Sequence, residues 1–199
     1  MRWRSRSFRL GGLSSSNLQR SRVMEMTDVS WTEGIARKEA AKDSLGMGER
    51  IGEMVAIILG VLVLLFFVAN QIQGTGFFTS DFGTMEMVLF YGVLILGMVP
   101  PFLRMFLGRR NKVRPVEIIC NLFFIVATTY LLWVFPFDFG HLPDLLPTNL
   151  QFILDWITND IAMWFMGIII VIVTIVTVWT AFLYIAVNDW QRRNSTAPL

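Results

Sequence analysis

Apolar residues along this chain are grouped into four long runs whose interiors carry no charge. The runs cover residues 54–72, 85–107, 116–136 and 161–187. Each is roughly 20 residues long, which is the length an α-helix needs to cross a hydrocarbon core of about 30 Å at 1.5 Å per residue. The pattern therefore predicts an all-α fold, an integral membrane four-helix bundle.

The segment between the third and fourth runs, residues 135–160, has a different pattern. It contains the stretch LQFILDWI, in which Leu150, Ile153, Leu154 and Ile157 fall on one helical face. Thr148 or Asn149 can cap such a helix. The stretch is too short to span a membrane. We therefore expect a short interfacial helix that lies over the ends of the bundle.

Lysine and arginine are strongly segregated between the runs. Ten lie in residues 1–50, five in the connection 104–114 and two in the tail 191–199, whereas the other two connections have none. Basic segments stay on the cytoplasmic side of a membrane. The counts predict a multi-pass protein of the cell membrane with cytoplasmic N and C termini, with the membrane domain in residues 51–190.

The N-terminal 50 residues are predicted to form a cytoplasmic tail that is partly disordered. Residues 1–22 are rich in Arg and Ser and contain no acid. This composition fits an organelle transit peptide, a disordered tail, or an extension upstream of a natural start at Met24 or Met26. From Trp31 onward, capping residues and good helix formers predict a short, peripheral and solvated amphipathic helix.

The first connection and the basic connection give further predictions. Phe77, Phe78 and Phe82 in the first connection are expected to lie against lipid headgroups. The basic stretch 104–114 is expected to be a loop, and Pro115 is expected to open the third span, since proline is favoured at the first position of a helix.

The second run contains Pro100 and Pro101. Proline removes a backbone hydrogen bond inside a helix and clashes with the preceding turn, so a kink is expected there. The kink has either a structural role or, as an alternative, the role of a gating hinge.

Candidate chemistry is concentrated in residues 135–160. Asp138, His141 and Asp144 could together bind a divalent ion, and Asp160 follows at the start of the last run. Pro136, Pro143 and Pro147 are expected to prevent a regular helix from presenting these side chains together. Turn and cap roles are therefore the alternative to a metal or catalytic site.

The span interiors lack the ionisable residues that proton-driven transporters usually place there. We therefore expect a structural, regulatory or accessory subunit, without a cofactor and without nucleic acid as a partner. Its expected partners are the lipid bilayer, other membrane proteins or a second copy. The alternatives are a small channel or carrier that uses the Pro100–Pro101 kink, and a membrane enzyme with a site in residues 138–160.

The motif WVFPFDFGHLPDLLP, followed by LQFILDWITNDIA and a long apolar run, resembles a group of uncharacterised small prokaryotic membrane proteins. Members of that group share an FPFDF-type motif before the last helix. The resemblance covers residues 117–190, and residues 135–139 together with Asp160 carry it. It implies a four-helix membrane fold and no particular activity.

Overall fold

The structure is a computed structural model that describes residues 31–195 of the 199-residue chain, apart from the side chains at positions 145, 194 and 195. It contains the α-helices α1 (31–41), α2 (Met47–Gln73), α3 (Thr84–Leu107), α4 (Arg110–Val134) and α5 (Asn159–Ser195), and the 3-10 helices Phe139–Leu145 and Gln151–Ile153. The expectations for residues 1–23 lie outside the described residues. Helices α2 to α5 are long and apolar enough to cross a membrane, which confirms the predicted all-α class with four helices of spanning length.

The helices extend beyond the apolar runs at several ends. Helix α2 begins at Met47, where the Glu49 carboxylate accepts a hydrogen bond from the backbone N of Gly46 at 3.1 Å. Helix α5 has 37 residues, and at 1.5 Å per residue it is about 55 Å long. The extra turns are polar, and at the start of α2 local capping rather than hydropathy sets the end of the helix.

The basic connection is much shorter than expected. The prediction of a loop over residues 104–114 is wrong, because only Gly108 and Arg109 separate α3 from α4. Gly108 ends α3 with a φ of 60°, a left-handed conformation that glycine adopts without steric cost. The chain can therefore reverse within two residues. Pro115 consequently lies inside α4 rather than at its start.

The predicted interfacial α-helix is replaced by 3-10 structure. Helix α4 ends at Val134, and Pro136 follows two residues later. Within LQFILDWI only Gln151–Ile153 is helical, and the residue before it, Leu150, provides no side-chain cap. The backbone hydrogen bonds there are short-range, as from Leu154 N to Gln151 O at 2.9 Å.

Helix α3 is continuous through Pro100 and Pro101, and both residues are buried. The helix therefore includes the two prolines that were expected to mark a kink or hinge.

Helices α2 to α5 form a bundle that is open on one side. Helix α3 packs against α2 and α4, and α4 packs against α5, but no extensive contact joins α2 to α5. The first 3-10 helix contacts both α2 and α5. It therefore bridges α2 and α5 at one end of the bundle.

Glycine permits the close approach of α2 to α3. A Cβ atom at Gly60 would lie 2.8 Å from Cγ of Met98, closer than two such atoms can approach. A larger residue at position 60 would therefore displace the Met98 side chain from this contact.

The loop end of the bundle, formed by residues 74–83 and 135–158, is closed by aromatic packing. Phe77 and Phe137 are buried, and their rings stack with centroids 5.5 Å apart. Phe78 and Phe82 pack into the same cluster. The expectation that Phe77 lies against headgroups is therefore wrong, whereas Phe78 and Phe82 pack against the cluster and remain partly exposed.

The opposite end, which we call the basic end, comprises α1, the Gly108–Arg109 turn and the C-terminal part of α5. Helix α1 is docked there, since Ala36 is 1% exposed and Glu39 pairs with Arg114 of α4. The backbone N of Leu45 also donates to Gly108 O at 3.0 Å. This helix differs from the solvated helix that its sparse apolar residues predict.

Candidate functional site

The first 3-10 helix brings together the acidic and imidazole side chains that the sequence singled out. His141 Nδ1 lies 2.9 Å from Asp144 Oδ2, and His141 Nε2 lies 3.9 Å from Asp138 Oδ2. A 3-10 helix has three residues per turn, so positions 138, 141 and 144 fall on one face. The prolines were expected to prevent a regular helix from presenting these side chains together, and a 3-10 helix that contains Pro143 brings them together instead.

These residues have local structural partners. The Asp138 carboxylate accepts a hydrogen bond from Gly140 N at 3.0 Å and so caps the 3-10 helix. The hydrogen bond to Asp144 raises the pKa of His141 above its usual value, and the negative charge of Asp138 raises the pKa further. Partial burial of the ring opposes this rise. Among residues 31–195, no group of three or more His, Cys, Asp or Glu side chains is arranged to hold a metal ion.

Asp160 and the two prolines occupy other parts of the molecule. Asp160 is exposed in the first turn of α5, where a carboxylate interacts favourably with the helix dipole. Pro100 and Pro101 are buried within α3 near the opposite end of the bundle. The structure therefore does not assemble these candidates into one site.

A second constellation lies near the basic end, in a cavity of about 390 Å³ that we call the charged cavity. All five α-helices contribute to its lining. Helix α5 supplies Thr180 and Leu183, and the other helices supply three carboxylates and three guanidinium groups, Glu39, Glu53, Glu117, Arg104, Arg110 and Arg114.

Arg104 is shared between two carboxylates in this cavity. Its Nε lies 2.8 Å from Glu53 Oε1, and its Nη1 lies 3.1 Å from Glu117 Oε2. The three side chains are about a fifth exposed. The interaction therefore joins α2, α3 and α4 at a partly hydrated position.

Arg114 is the most buried charged group of the cavity. Its side chain is 8% exposed, and its Nη2 lies 2.7 Å from Glu39 Oε2. The other terminal nitrogen, Nη1, has no hydrogen-bond partner. A buried donor without a partner is energetically unfavourable, so the Nη1 group of Arg114 carries a desolvation cost that its ion pair with Glu39 must offset.

The opening between α2 and α5 contains a second cavity of about 190 Å³ that we call the apolar cavity. It lies toward the loop end, and its lining is almost entirely hydrophobic. The residues that line it include Phe67, Phe90, Phe124, Leu131, Met166 and Ile169.

The two cavities are lined from the same face of α2, α3 and α5. Fourteen residues separate Glu53 from Phe67 on α2, and fourteen separate Phe90 from Arg104 on α3. The same interval separates Met166 from Thr180 on α5. Fourteen residues are close to four helical turns, or about 21 Å, so residues at this spacing project from nearly the same side. We call this face of the bundle, charged at one end and apolar at the other, the cleft.

The sequence alone identified only part of this constellation. Glu53, Arg104 and Glu117 lie near the ends of the apolar runs in the sequence, where long side chains can reach water. Glu39 and Arg114 were not predicted to meet, because the docking of α1 has no signature in the hydropathy pattern. Arg104, within the apolar second run, is the one available signal, since a charge there requires a partner.

No protein-family model, curated protein or solved structure matches this chain.

Proposed function

We propose that this chain is a four-span protein of the cell membrane with a structural or accessory role, and that another membrane component docks in the cleft. The observation that supports this proposal is the open side of the bundle between α2 and α5. A gap that opens sideways between two apolar helices gives access from the lipid phase. The occupant can be a second copy, a helix of another protein or a lipid.

The apolar cavity favours docking over the alternative of a small channel or carrier. Ion pathways are lined by carbonyl, hydroxyl or charged groups that replace water around the ion. The loop-end half of the cleft presents phenylalanine, leucine and methionine side chains instead. Similarly, the cap formed by Asp138 and the contact between His141 and Asp144 support a structural role for these residues over the alternative of an enzyme site.

We assign the basic end to the cytoplasm, because the Lys and Arg residues among residues 31–195 are confined to the segments at that end. Single cysteines at Asp81 and Lys112 test this assignment in a Cys120→Ala background. Both positions are exposed, on the loop end and the basic end respectively. A membrane-impermeant maleimide applied to intact cells should label the cysteine at position 81 and spare the one at position 112. The reverse pattern would overturn the assignment.

Photo-cross-linking tests the occupancy of the cleft. A photoreactive amino acid at Ile169 points into the apolar cavity, whereas the same amino acid at Ile175 lies on an exposed face of α5. We expect a discrete adduct from position 169, either with protein or with one lipid class, and only heterogeneous bulk-lipid adducts from position 175. Identical products from the two positions would show that the cleft has no specific occupant and would contradict the proposal.

A further inference from the structure

The connection between α4 and α5 carries apolar side chains on two sides. Leu154 and Ile157 pack inward against the aromatic cluster of the loop end. Other apolar side chains of the same stretch are largely exposed, by 41% at Leu150, 69% at Phe152, 48% at Ile153 and 56% at Trp156. We call residues 150–156 the anchor segment. A group of exposed apolar side chains in so short a stretch marks an interaction surface.

Polar groups of the anchor segment are paired within the segment itself. The backbone N–H groups of Ile153, Leu154 and Asp155 donate to carbonyl groups three or four residues earlier, at 2.9–3.1 Å. The indole Nε1 of Trp156 donates to Ile153 O at 2.7 Å. Hydrocarbon offers no hydrogen-bond partner, so donors that approach it must be satisfied by the protein. These groups meet that requirement, and the Trp156 ring is left to make apolar contacts.

Exposed tryptophans flank the anchor segment at the loop end. Trp133, in the last turn of α4, is 85% exposed, and Trp164, in the second turn of α5, is 75% exposed. Tryptophan rings are enriched at the interface between a membrane and water. Trp156 precedes the start of α5 by three residues, which span at most about 11 Å. The anchor segment is therefore continuous with the apolar surface of the spanning helices, near the level of the interface.

A bilayer fits this surface better than a second copy of the chain. The four exposed side chains offer roughly 400–500 Å², since a whole aromatic side chain buries about 150–250 Å². One partner in a stable protein interface contributes about 800 Å². Asp155 is also exposed within the segment, and a two-fold interface there would bring it close to its own copy.

Headgroup charge does not supply the attraction to the bilayer. Residues 135–160 contain no Lys or Arg, and their charged side chains are the acids Asp138, Asp144, Asp155 and Asp160. Segments that bind anionic lipids carry basic residues. Burial of apolar side chains is therefore the driving force. Asp155 keeps the insertion shallow, because an ionised carboxylate is costly to remove from water.

We infer that the anchor segment inserts its exposed side into the membrane leaflet at the loop end. Phe152, Ile153 and Trp156 enter the boundary between headgroups and acyl chains, to a depth of about 5–10 Å. Leu154 and Ile157 stay packed on the aromatic cluster, so the segment joins the bundle to the lipid surface. This lipid-binding surface goes beyond the proposed function and requires no particular occupant of the cleft.

Spin-label accessibility of the full chain in phosphatidylcholine nanodiscs tests the inference. Single cysteines in a Cys120→Ala background carry a nitroxide at Ile153, at exposed Asp81 as the reference for water, and at Val126, 69% exposed on α4, as the reference for hydrocarbon. Oxygen concentrates in hydrocarbon, and a soluble nickel complex concentrates in water. The ratio of oxygen to nickel collisions at position 153 should lie between the two references.

Phe152→Glu should shift the ratio at position 153 to the value of the Asp81 reference. Asn149→Glu, at an exposed polar position just outside the segment, should leave the ratio unchanged. Phe152 is largely exposed, so its replacement leaves the packed side of the connection intact. The ratio in the wild-type background decides the question even if the variant does not fold.

Two results at position 153 would overturn the inference. A ratio equal to that of Asp81 would place the segment in water, and shielding from both reagents would show that protein covers it. Addition of phosphatidylglycerol to the nanodiscs should leave the ratio unchanged or lower it. A ratio that rises with the anionic lipid would show that headgroup charge drives the contact, which contradicts insertion by apolar burial.

Discussion

The two ends of the bundle are held together by different interactions. At the loop end, buried phenylalanine rings pack together, and backbone groups pair across the cap, as from Asp138 N to Phe77 O at 2.7 Å. At the basic end, ion pairs of Arg104, Arg110 and Arg114 join α1, α2, α3 and α4.

The two kinds of interaction suit different roles, stability at the loop end and binding at the basic end. Aromatic packing is short-range and is complete within the chain, so it stabilises one closed arrangement. Partly hydrated ion pairs contribute less to stability, and their charged groups can interact with a ligand as well as with each other. The loop end is therefore suited to hold the helices together, and the basic end is suited to recognise a charged group.

Phe77 should give the largest loss of stability in the molecule. It is 1% exposed and contacts the rings of Phe67, Phe78, Phe137 and Phe139. Phe77→Ala should lower the free energy of unfolding by about 3–5 kcal/mol, because it leaves a cavity in the cap. Reversible unfolding in detergent measures this change. Phe106, which is 66% exposed near the basic end, is the control, and its alanine variant should change the value by less than about 0.5 kcal/mol. Similar losses for the two variants would refute the proposed difference between the ends.

Asn70 should give the next largest effect, again at the loop end. It is 1% exposed, its Nδ2 donates to Phe66 O at 3.0 Å, and its Oδ1 accepts from the Thr75 hydroxyl at 2.9 Å. Asn70→Ala should destabilise the fold by about 2 kcal/mol, because it leaves the Thr75 hydroxyl without its partner. The same unfolding experiment applies, with exposed Asn149→Ala as the control. A change as small as that of the control would show that the hydroxyl finds another acceptor.

Arg104 should have a smaller effect at the basic end, and one that depends on salt. Arg104→Ala should destabilise the fold by about 1–2 kcal/mol at low ionic strength, because Glu53 and Glu117 lose their shared counter-ion. Salt screens partly exposed charges, so the difference should shrink in 1 M NaCl. Arg104→Lys should restore part of the stability, since lysine keeps the charge but not the forked geometry. A salt-independent loss would indicate packing rather than ion pairing.

His141 should give the smallest effect, which is a dependence on pH. Its pKa is raised in the folded protein, so folding favours the protonated ring. The resulting stabilisation is complete below the unfolded pKa of about 6.5 and is lost as the pH rises through the folded pKa. Because His141 is the only histidine in the chain, one NMR signal reports its titration. Asp144→Asn should move the midpoint to lower pH, and Asp155→Asn should not. An unchanged midpoint in Asp144→Asn would show that the carboxylate is not the cause.

Local patterns in the sequence predicted the helices better than the connections. The number of spanning-length helices follows from run length, because the hydropathy of about 20 consecutive residues needs no information from elsewhere in the chain. The turn at Gly108 was missed, because Arg104, Arg110 and Lys112 look like parts of a loop although they lie in α3 and α4. The 3-10 geometry that aligns Asp138 with His141 and Asp144 also has no clear periodic signature.

The sequence by itself determined the class of the protein and the asymmetry of its two ends. Runs of apolar residues and the distribution of lysine and arginine are local quantities, and both can be read directly from the order of residues. The tertiary structure decided that α2 and α5 stay apart, that Phe77 and Phe137 stack, and that Glu39 meets Arg114. These results depend on residues far apart in the chain that approach only when the helices pack. The charged cavity was likewise decided by the tertiary structure, because residues from five helices line it.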